Sequence, residues 1–385
     1  MDRQKFIVLE SWRGICAVIV ALYHLSAAGH FYNFPVVRNG EMGVIFFFVL
    51  SGFVMMHAYG RKISGWSDAA PFFLRRFGRI YPLHLFTLLL LVGSESAKFI
   101  LVTLADLSSG SKPFSDAWSI PSLFGNLLLI QGLGFFPRYS WNIPSWTISA
   151  EFWVYAVFFV ALVLGGVRYR RIALGLAMLA AAMVALNCAM GFPLRRIEGA
   201  GAMECIYGFF LGTLAYQFFL ARREHPGQGA WLEIVATGLI LLMFMMDFTY
   251  QPLVAPAIFA WAITIFARSA GPVSGILATK PFVMVGTVSF SIYLIHFPIL
   301  TVMNDVLRVA QAKLHIPIFG AVPGVRELLI TIGGPWAMDA LAIVYVALLL
   351  FLSRLTYSWI EVPFRDYFNR IADGWAARRG KALAV

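Results

Sequence analysis

Apolar segments of about 18 to 23 residues recur along the whole chain. A helix of that length crosses about 30 Å of hydrocarbon, so each segment predicts a membrane-spanning helix. Only 13% of the 385 residues are charged and 60% are hydrophobic, which excludes an ordinary soluble domain. The sequence therefore predicts an all-α, polytopic bundle of about ten transmembrane helices. The predicted windows are 6–28, 41–60, 82–102, 147–164, 172–190, 200–219, 231–248, 252–268, 283–302 and 339–360.

The basic residues predict the topology. Lys and Arg outnumber Asp and Glu by 30 to 19 and lie mostly between apolar segments, as in cytoplasmic loops, so we expect no nucleic-acid partner. An apolar but shorter segment, 119–136, would place the basic runs 168–171 and 222–223 outside if it crossed the membrane. We therefore interpret 119–136 as a re-entrant or surface-lying element. Both termini are then cytoplasmic.

One membrane domain, 1–365, is predicted to fill nearly the whole chain, followed by a short basic cytoplasmic tail, 366–385. The three cysteines, Cys16, Cys188 and Cys205, lie in or beside apolar stretches. Their spacing matches neither a disulfide framework nor a metal site, and we interpret them as packing residues. The sequence therefore predicts no metal.

Arg13 and His24 are polar residues within the first predicted span. At about 100° per residue they lie on one helix face, about 16 Å apart. A charged residue inside a span is costly and usually faces the bundle interior or a water-filled cavity. Arg13 reaching the cytoplasmic headgroups, and His24 as an ordinary core histidine, are the structural alternatives.

Arginines also cluster before the third span, at Arg75, Arg76 and Arg79. Arg76 and Arg79 are about one helical turn apart, so both guanidinium groups can face one anion. Orientation by positive charge at a cytoplasmic helix end is the alternative. The loop therefore predicts either an anion-binding mouth or a topology signal.

Further polar residues fall in or beside other spans. Ser51 lies in the second span beside Gly52, where close helix packing is the alternative explanation. Ser149 and Glu151 lie near the outer start of another span. Ser289, Tyr293 and His296 follow i, i+4, i+7 spacing on one face. In the predicted topology His24, Glu151 and His296 lie at one level in the outer half of the membrane.

These residues belong to motifs that follow one another along the chain. The motifs are Arg13 with His24, Phe47-Phe48-x-x-Ser51-Gly52-Phe53, Arg76-x-x-Arg79-Ile80-x-Pro82, Ser145-Trp146-x-x-x-x-Glu151, Ser289-x-Ser291-x-Tyr293-x-x-His296-x-Pro298 and Glu361-x-Pro363. Together they resemble the acyltransferase-3 family of bacterial inner-membrane O-acyltransferases. The resemblance runs from about Arg3 to Arg365, and the order and spacing of the motifs make it specific.

The resemblance implies transfer of an acyl group, often acetyl, from cytoplasmic acyl-coenzyme A to a hydroxyl of a glycan, lipid-linked sugar or metabolite. Such a protein lies in the bacterial inner membrane. Arg75, Arg76 and Arg79 would bind the coenzyme's phosphates.

In that interpretation His24 is the general base or a covalent acyl carrier. Glu151 would orient or polarise its ring, and Arg13 would hold the coenzyme arm or a carboxylate. Ser51, Ser149 and Tyr293 are candidate oxyanion donors, and His296 faces the same substrate-binding level.

A different class remains open on the residues alone. Buried polar groups also mark the pathway of a transporter or flippase for a lipid-linked or anionic solute. The sequence shows no inverted repeat to support that alternative. A sensor or scaffold protein needs no such set of buried ionisable residues.

Overall fold

The computed structural model describes residues 6–105, 112–136, 139–190, 200–222, 230–268, 271–325 and 327–382. Residue 223, part of the predicted basic run 222–223, lies outside these ranges, as does residue 3. Sixteen α-helices and one two-stranded sheet occur within them. The helices are α1 Ile7–Tyr23, α2 His30–Asn33, α3 Pro35–Arg38, α4 Met42–Tyr59, α5 Ala69–Ala105, α6 Ile120–Leu127, α7 Trp146–Gly165, α8 Tyr169–Ala189, α9 Ala200–Ala221, α10 Trp231–Met245, α11 Gln251–Phe266, α12 Pro272–Leu277, α13 Lys280–Thr287, α14 Ser289–Leu314, α15 Gly334–Thr356 and α16 Val362–Ala382.

The structure confirms an all-α membrane architecture. Each of the ten predicted windows overlaps one of these helices. Among the described residues, six helical segments are long and apolar enough to cross a membrane, and one of them contains both α7 and α8. Two more apolar helices, α10 and α11, are shorter. The number of spans and the orientation of the termini stay predictions.

The segment 119–136 contains only a short helix, the eight-residue α6. At about 1.5 Å per residue it is far shorter than the hydrocarbon core. Side chains of the neighbouring helices bond its backbone: Tyr81 donates to the Leu127 carbonyl at 3.0 Å and Ser149 to the Leu129 carbonyl at 2.6 Å. Irregular backbone at membrane depth needs such partners.

The connection after α1 and the connection between α14 and α15 meet at one end of the bundle. Strands β1 Phe319–Ala321 and β2 Leu328–Ile330 form an antiparallel hairpin, and Ile330 pairs with residues 26–28 just after α1.

The predicted tail is part of the helix bundle. At α5, Arg75 forms an ion pair with Asp373 of α16. The predicted tail boundary at residue 365 therefore lies inside a helix that packs on α5.

Close helix packing at Gly52 is confirmed. A Cβ atom on Gly52 would overlap the backbone carbonyl of Phe209, and one on Gly212 would overlap that of Val49. The small residues allow α4 and α9 to approach to backbone contact, as in many membrane helix pairs. This packing holds α4, and with it Ser51, in a fixed position.

Candidate active site

A cavity of about 240 Å³ lies among α1, α4, α5, α7 and α14. Part of its wall is apolar, with aromatic and aliphatic side chains that include Phe47, Phe48 and Phe290. Seven of the residues singled out from the sequence line it together with two further polar residues, Thr147 and Tyr155. Its polar lining consists of Arg13, Ser51, Arg76, Arg79, Thr147, Glu151, Tyr155, Ser289 and Tyr293.

Arg13 faces the protein interior and not the headgroups. Its Nε donates to Ser289 Oγ at 2.7 Å and its Nη2 to the Gly286 carbonyl at 3.2 Å. These bonds join α1 to the end of α13 and to the start of α14. Because guanidinium cannot lose its charge at ordinary pH, the cavity keeps a fixed positive group here.

Glu151 lies in a compact carboxylate–hydroxyl cluster. Its Oε1 accepts hydrogen bonds from Ser51 Oγ and from Tyr155 OH, the latter at 2.5 Å. The two hydroxyls are themselves 3.1 Å apart. Two hydroxyls, one from α4 and one from α7, thus converge on one carboxylate oxygen on the wall of the cavity.

Arg76 is held by neutral and aromatic groups. Its Nη2 donates to Tyr59 OH at 3.0 Å, and its guanidinium lies 5.0 Å from the centre of the Tyr59 ring. The buried Nε of Arg76 has no hydrogen-bond partner in the structure. No carboxylate within the described residues forms an ion pair with Arg76, so its charge is available to an anion in the cavity.

Arg79 forms an ion pair with Glu361, a carboxylate that is fully buried. The other oxygen of Glu361 accepts from Ser291 Oγ at 3.0 Å. Glu361 ends a π-helical turn, Tyr357–Glu361, between α15 and α16, and such turns are frequent at functional sites. The cavity lining itself contains three arginines, Arg13, Arg76 and Arg79, and one carboxylate, Glu151, so positive charge is in excess there.

His24 lies outside the cavity lining, against α14. Its Nδ1 must donate to the Val20 carbonyl at 2.9 Å, because a carbonyl only accepts, so the basic nitrogen of the neutral ring is Nε2. The His24 and His296 rings are 5.0 Å apart at their centroids. His296 is fully buried, and neither of its ring nitrogens has a hydrogen-bond partner.

The expected polar stripe on α14 is present, and it runs from the cavity to the pair of His24 and His296. Tyr293 lines the cavity, donates to the Pro144 carbonyl at 3.1 Å and accepts from Thr147 at 3.0 Å. The rings of Tyr293 and His296 are 5.8 Å apart. The histidine pair therefore lies about one helical turn from the cavity wall.

Two predicted site residues take other positions. Ser149 donates to the Leu129 carbonyl and accepts from Gly132 N at 3.1 Å, so its hydroxyl holds the segment 119–136. Arg75 pairs with Asp373 at the surface and does not line the cavity. The partners of Glu151 are Ser51 and Tyr155, so the expected orientation of His24 by Glu151 stays a prediction.

Sequence reasoning did not assign roles to Tyr155 and Glu361. Tyr155 lies four residues after Glu151, and that spacing places both on one helix face, which was an available signal. Glu361 belongs to a recognised motif, but its contact with Arg79 spans 282 residues and cannot be read from spacing. Within the described ranges, no group of three or more His, Cys, Asp or Glu could hold a metal ion.

The arrangement combines recognition of negative charge with acid–base chemistry. Arginines can bind phosphate or carboxylate groups with paired hydrogen bonds. A neutral imidazole can take a proton from a hydroxyl, and buried hydroxyls can donate to an oxyanion. The apolar wall would accommodate an uncharged chain between these groups.

Comparison with known proteins gives one family. Residues 6–353 match the family described as Acyltransferase domain. The chain is 24% identical over 397 residues to peptidoglycan O-acetyltransferase OatA of Listeria monocytogenes, covering 95% of this chain and 57% of the relative. It is 36% identical over 121 residues to acyltransferase MdmB of Streptomyces mycarofaciens, covering 31% of this chain and 27% of the relative.

A third relative is the putative membrane-bound transacylase BcsY of Komagataeibacter xylinus, 25% identical over 414 residues, covering 98% of this chain and 87% of the relative. The chain spans a little over half of the length of the Listeria protein. No solved structure matches the chain.

Proposed function

We propose that this chain, which belongs to the Acyltransferase domain family, moves an acyl group, acetyl above all, from cytoplasmic acyl-coenzyme A to a hydroxyl of a glycan or lipid-linked saccharide. The bacterial cytoplasmic membrane is the proposed location. The observation that carries the proposal is that Arg13, Arg76 and Arg79 line the same cavity as Glu151 and its two hydroxyl partners. The relative named a peptidoglycan O-acetyltransferase supports a glycan acceptor.

The arginines are the proposed donor-binding groups. Coenzyme A carries several phosphate charges, and an excess of arginine over carboxylate favours a polyanion. Arg76, which has an unpartnered Nε, offers the most direct contact. The uncharged pantetheine arm would then pass along the aromatic wall towards Tyr293.

His24 is the proposed base. The acceptor hydroxyl oxygen attacks the thioester carbonyl carbon, Nε2 of His24 takes the hydroxyl proton, and the carbon–sulfur bond breaks. The imidazolium then returns the proton to the departing thiolate, which leaves as coenzyme A thiol. In the alternative two-step route Nε2 attacks the thioester carbonyl carbon, the carbon–sulfur bond breaks and the coenzyme leaves as the thiolate. The acceptor hydroxyl oxygen then attacks the acyl carbon, the bond from that carbon to Nε2 breaks, and the hydroxyl proton passes to the thiolate.

Ser51 and Tyr293 are the candidate oxyanion donors. Each hydroxyl has one hydrogen, so on donating to the oxyanion Ser51 would give up its bond to Glu151 and Tyr293 its bond to the Pro144 carbonyl.

The test uses purified protein in detergent with acetyl-coenzyme A and a soluble N-acetylglucosamine oligomer. We expect release of coenzyme A thiol together with an acetyl ester on the oligomer, detected by mass spectrometry. His24→Ala should abolish both while the protein remains folded. His57→Gln is the matched control, because His57 contacts Tyr216 at 3.0 Å outside the cavity lining.

Failure of the wild-type protein to consume acetyl-coenzyme A would contradict the proposal. Export of a lipid-linked or anionic solute from vesicles without any acyl donor would favour the transporter alternative. Near-normal activity in His24→Ala would remove His24 from the mechanism. Formation of a hydroxylamine-sensitive acetyl-enzyme would select the two-step route.

A further inference from the structure

A second histidine–carboxylate pair lies at the end of the bundle where α1 ends. His30, at the start of α2, contacts Asp339 of α15 through its Nδ1, at 2.6 Å from Oδ2. The other oxygen of Asp339 accepts from the backbone N–H of Phe31 at 3.2 Å. A Cβ atom on Gly29 would press on Asp339, so glycine allows this approach. Both carboxylate oxygens are therefore engaged in fixing the His30 loop.

The contact with Asp339 determines which ring nitrogen of His30 carries the proton. An ionised carboxylate only accepts, so Nδ1 of His30 carries the proton and Nε2 of the neutral ring is a hydrogen-bond acceptor. The His30 side chain is 58% exposed, whereas that of Asp339 is 12% exposed. The buried aspartate thus holds an imidazole whose ring is largely open to the surroundings.

An exposed indole lies beside this imidazole. The rings of Trp336 and His30 are 4.6 Å apart at their centroids, with 52° between their planes, and Trp336 is 79% exposed. An aromatic surface next to a few oriented polar groups is the usual composition of a small-molecule site. A sugar ring offers the complement, because it has apolar C–H faces and hydroxyl donors.

Anchoring at the membrane interface explains Trp336 alone but not the whole cluster. Exposed tryptophans are common where a bilayer meets water. Anchoring does not require Asp339, which is expensive to keep near the start of an apolar helix. The pairing of a buried carboxylate with an exposed imidazole is the independent observation that indicates a ligand.

The cluster lies near the proposed reaction centre. His24 and His30 flank residues 26–28, which pair with Ile330 of the hairpin. The hairpin leads directly into α15, which carries Trp336 and Asp339. A saccharide on this surface would therefore lie at the His24 end of α1, which is where an acceptor hydroxyl is needed.

We propose that His30, Asp339 and Trp336 form an acceptor subsite, in which a sugar ring stacks on Trp336 and donates a hydroxyl hydrogen bond to Nε2 of His30. This inference rests on the proposed function, because that function requires a saccharide acceptor. Asp339 is a positioning residue that acts through the imidazole.

The experiment measures binding and turnover separately. The probe is a soluble N-acetylglucosamine oligomer, carrying a fluorescent label for binding to purified protein and unlabelled for kinetics. We expect His30→Ala and Trp336→Ala each to weaken oligomer binding and to raise its KM by at least about tenfold, equivalent to about 1.4 kcal/mol. The KM for acetyl-coenzyme A should stay unchanged.

Matched controls come from equivalent side chains elsewhere. Trp231 is 61% exposed at the start of α10, so Trp231→Ala removes a comparable indole. His315 is an exposed histidine just before the hairpin in the left-handed conformation, which asparagine tolerates, so His315→Asn removes a nearby imidazole. Both controls should bind the oligomer as the wild type does.

The outcomes distinguish the subsite from the proposed reaction. Wild-type protein that does not bind the oligomer, or variants at His30 and Trp336 that bind it normally, would overturn the subsite. A parallel rise in the KM of both substrates would also overturn it, because that result indicates a structural defect. Binding that depends on His30 and Trp336 without consumption of acetyl-coenzyme A would support the subsite and reject the reaction.

Discussion

Replacing Glu151 with glutamine separates the charge of this residue from its shape. Glutamine keeps the side-chain volume and one acceptor oxygen, so the hydroxyls of Ser51 and Tyr155 keep a partner. A hydrogen bond to a charged group contributes about 1.5–3 kcal/mol and a neutral one about 0.5–1.5 kcal/mol. The two weakened bonds should therefore lower the free energy of unfolding by about 2–3 kcal/mol in total.

The effect on activity should be larger than the effect on stability. Positioned acid–base groups typically contribute about 10²–10⁴-fold to a rate, so we expect the kcat of Glu151→Gln to fall at least about a hundredfold. Thiol release from acetyl-coenzyme A measures the rate, and thermal unfolding in detergent measures stability. Both measurements use the same purified sample.

A buried carboxylate outside the cavity provides the control. Glu233 accepts from Gly271 N, Ser274 N and Ser274 Oγ, at 2.8, 2.8 and 2.5 Å. Glu233→Gln should lose comparable stability with little change in kcat. If Glu151→Gln works within threefold of the wild type, or if Glu233→Gln loses as much activity, the charge of Glu151 has no specific role.

Three further predictions address the donor site, the packing and the topology. Arg79→Ala should raise the KM for acetyl-coenzyme A by about tenfold or more, because a charge-assisted bond is worth about 1.5–3 kcal/mol, whereas the surface variant Arg75→Ala should change it less than about threefold; equal effects would contradict the assignment. Gly52→Val should lower the thermal unfolding midpoint, because its side chain would overlap the Phe209 carbonyl, and overpacking costs about 1–3 kcal/mol; an unchanged midpoint would contradict the close approach. A reporter fused after Arg170 should respond as cytoplasmic, and an external response would overturn the re-entrant interpretation.

The helices were predictable because hydropathy is local information. The bounds of the helices were less predictable. The window 82–102 is only part of α5, which begins at Ala69. The basic residues before the window are good helix formers, but they lower the hydropathy of that stretch. The window 6–28, by contrast, is longer than the helix that it contains, since α1 ends at Tyr23. The hairpin of β1 and β2 was not predicted, since its strands are three residues each and depend on distant contacts.

The site was predictable in its members but not in their pairing. Arg13, Ser51 and Glu151 stood out because a polar group inside an apolar span is costly unless it faces a cavity. Which group bonds to which depends on helix rotation and packing, and these are not local. Hence Glu151 was expected beside His24, while its observed partners are Ser51 and Tyr155.

The internal ion pair at Arg79 has a consequence for selectivity among ions. Glu361 already neutralises the guanidinium of Arg79. A single chloride or acetate ion would therefore bind weakly there, because it would share the cation with a carboxylate that is part of the protein. A ligand with several linked phosphates can contact Arg76 and Arg79 at once and is favoured by effective concentration. The abundant small anions of a cell would therefore compete poorly for this cavity, which stays accessible to a scarcer polyphosphorylated molecule.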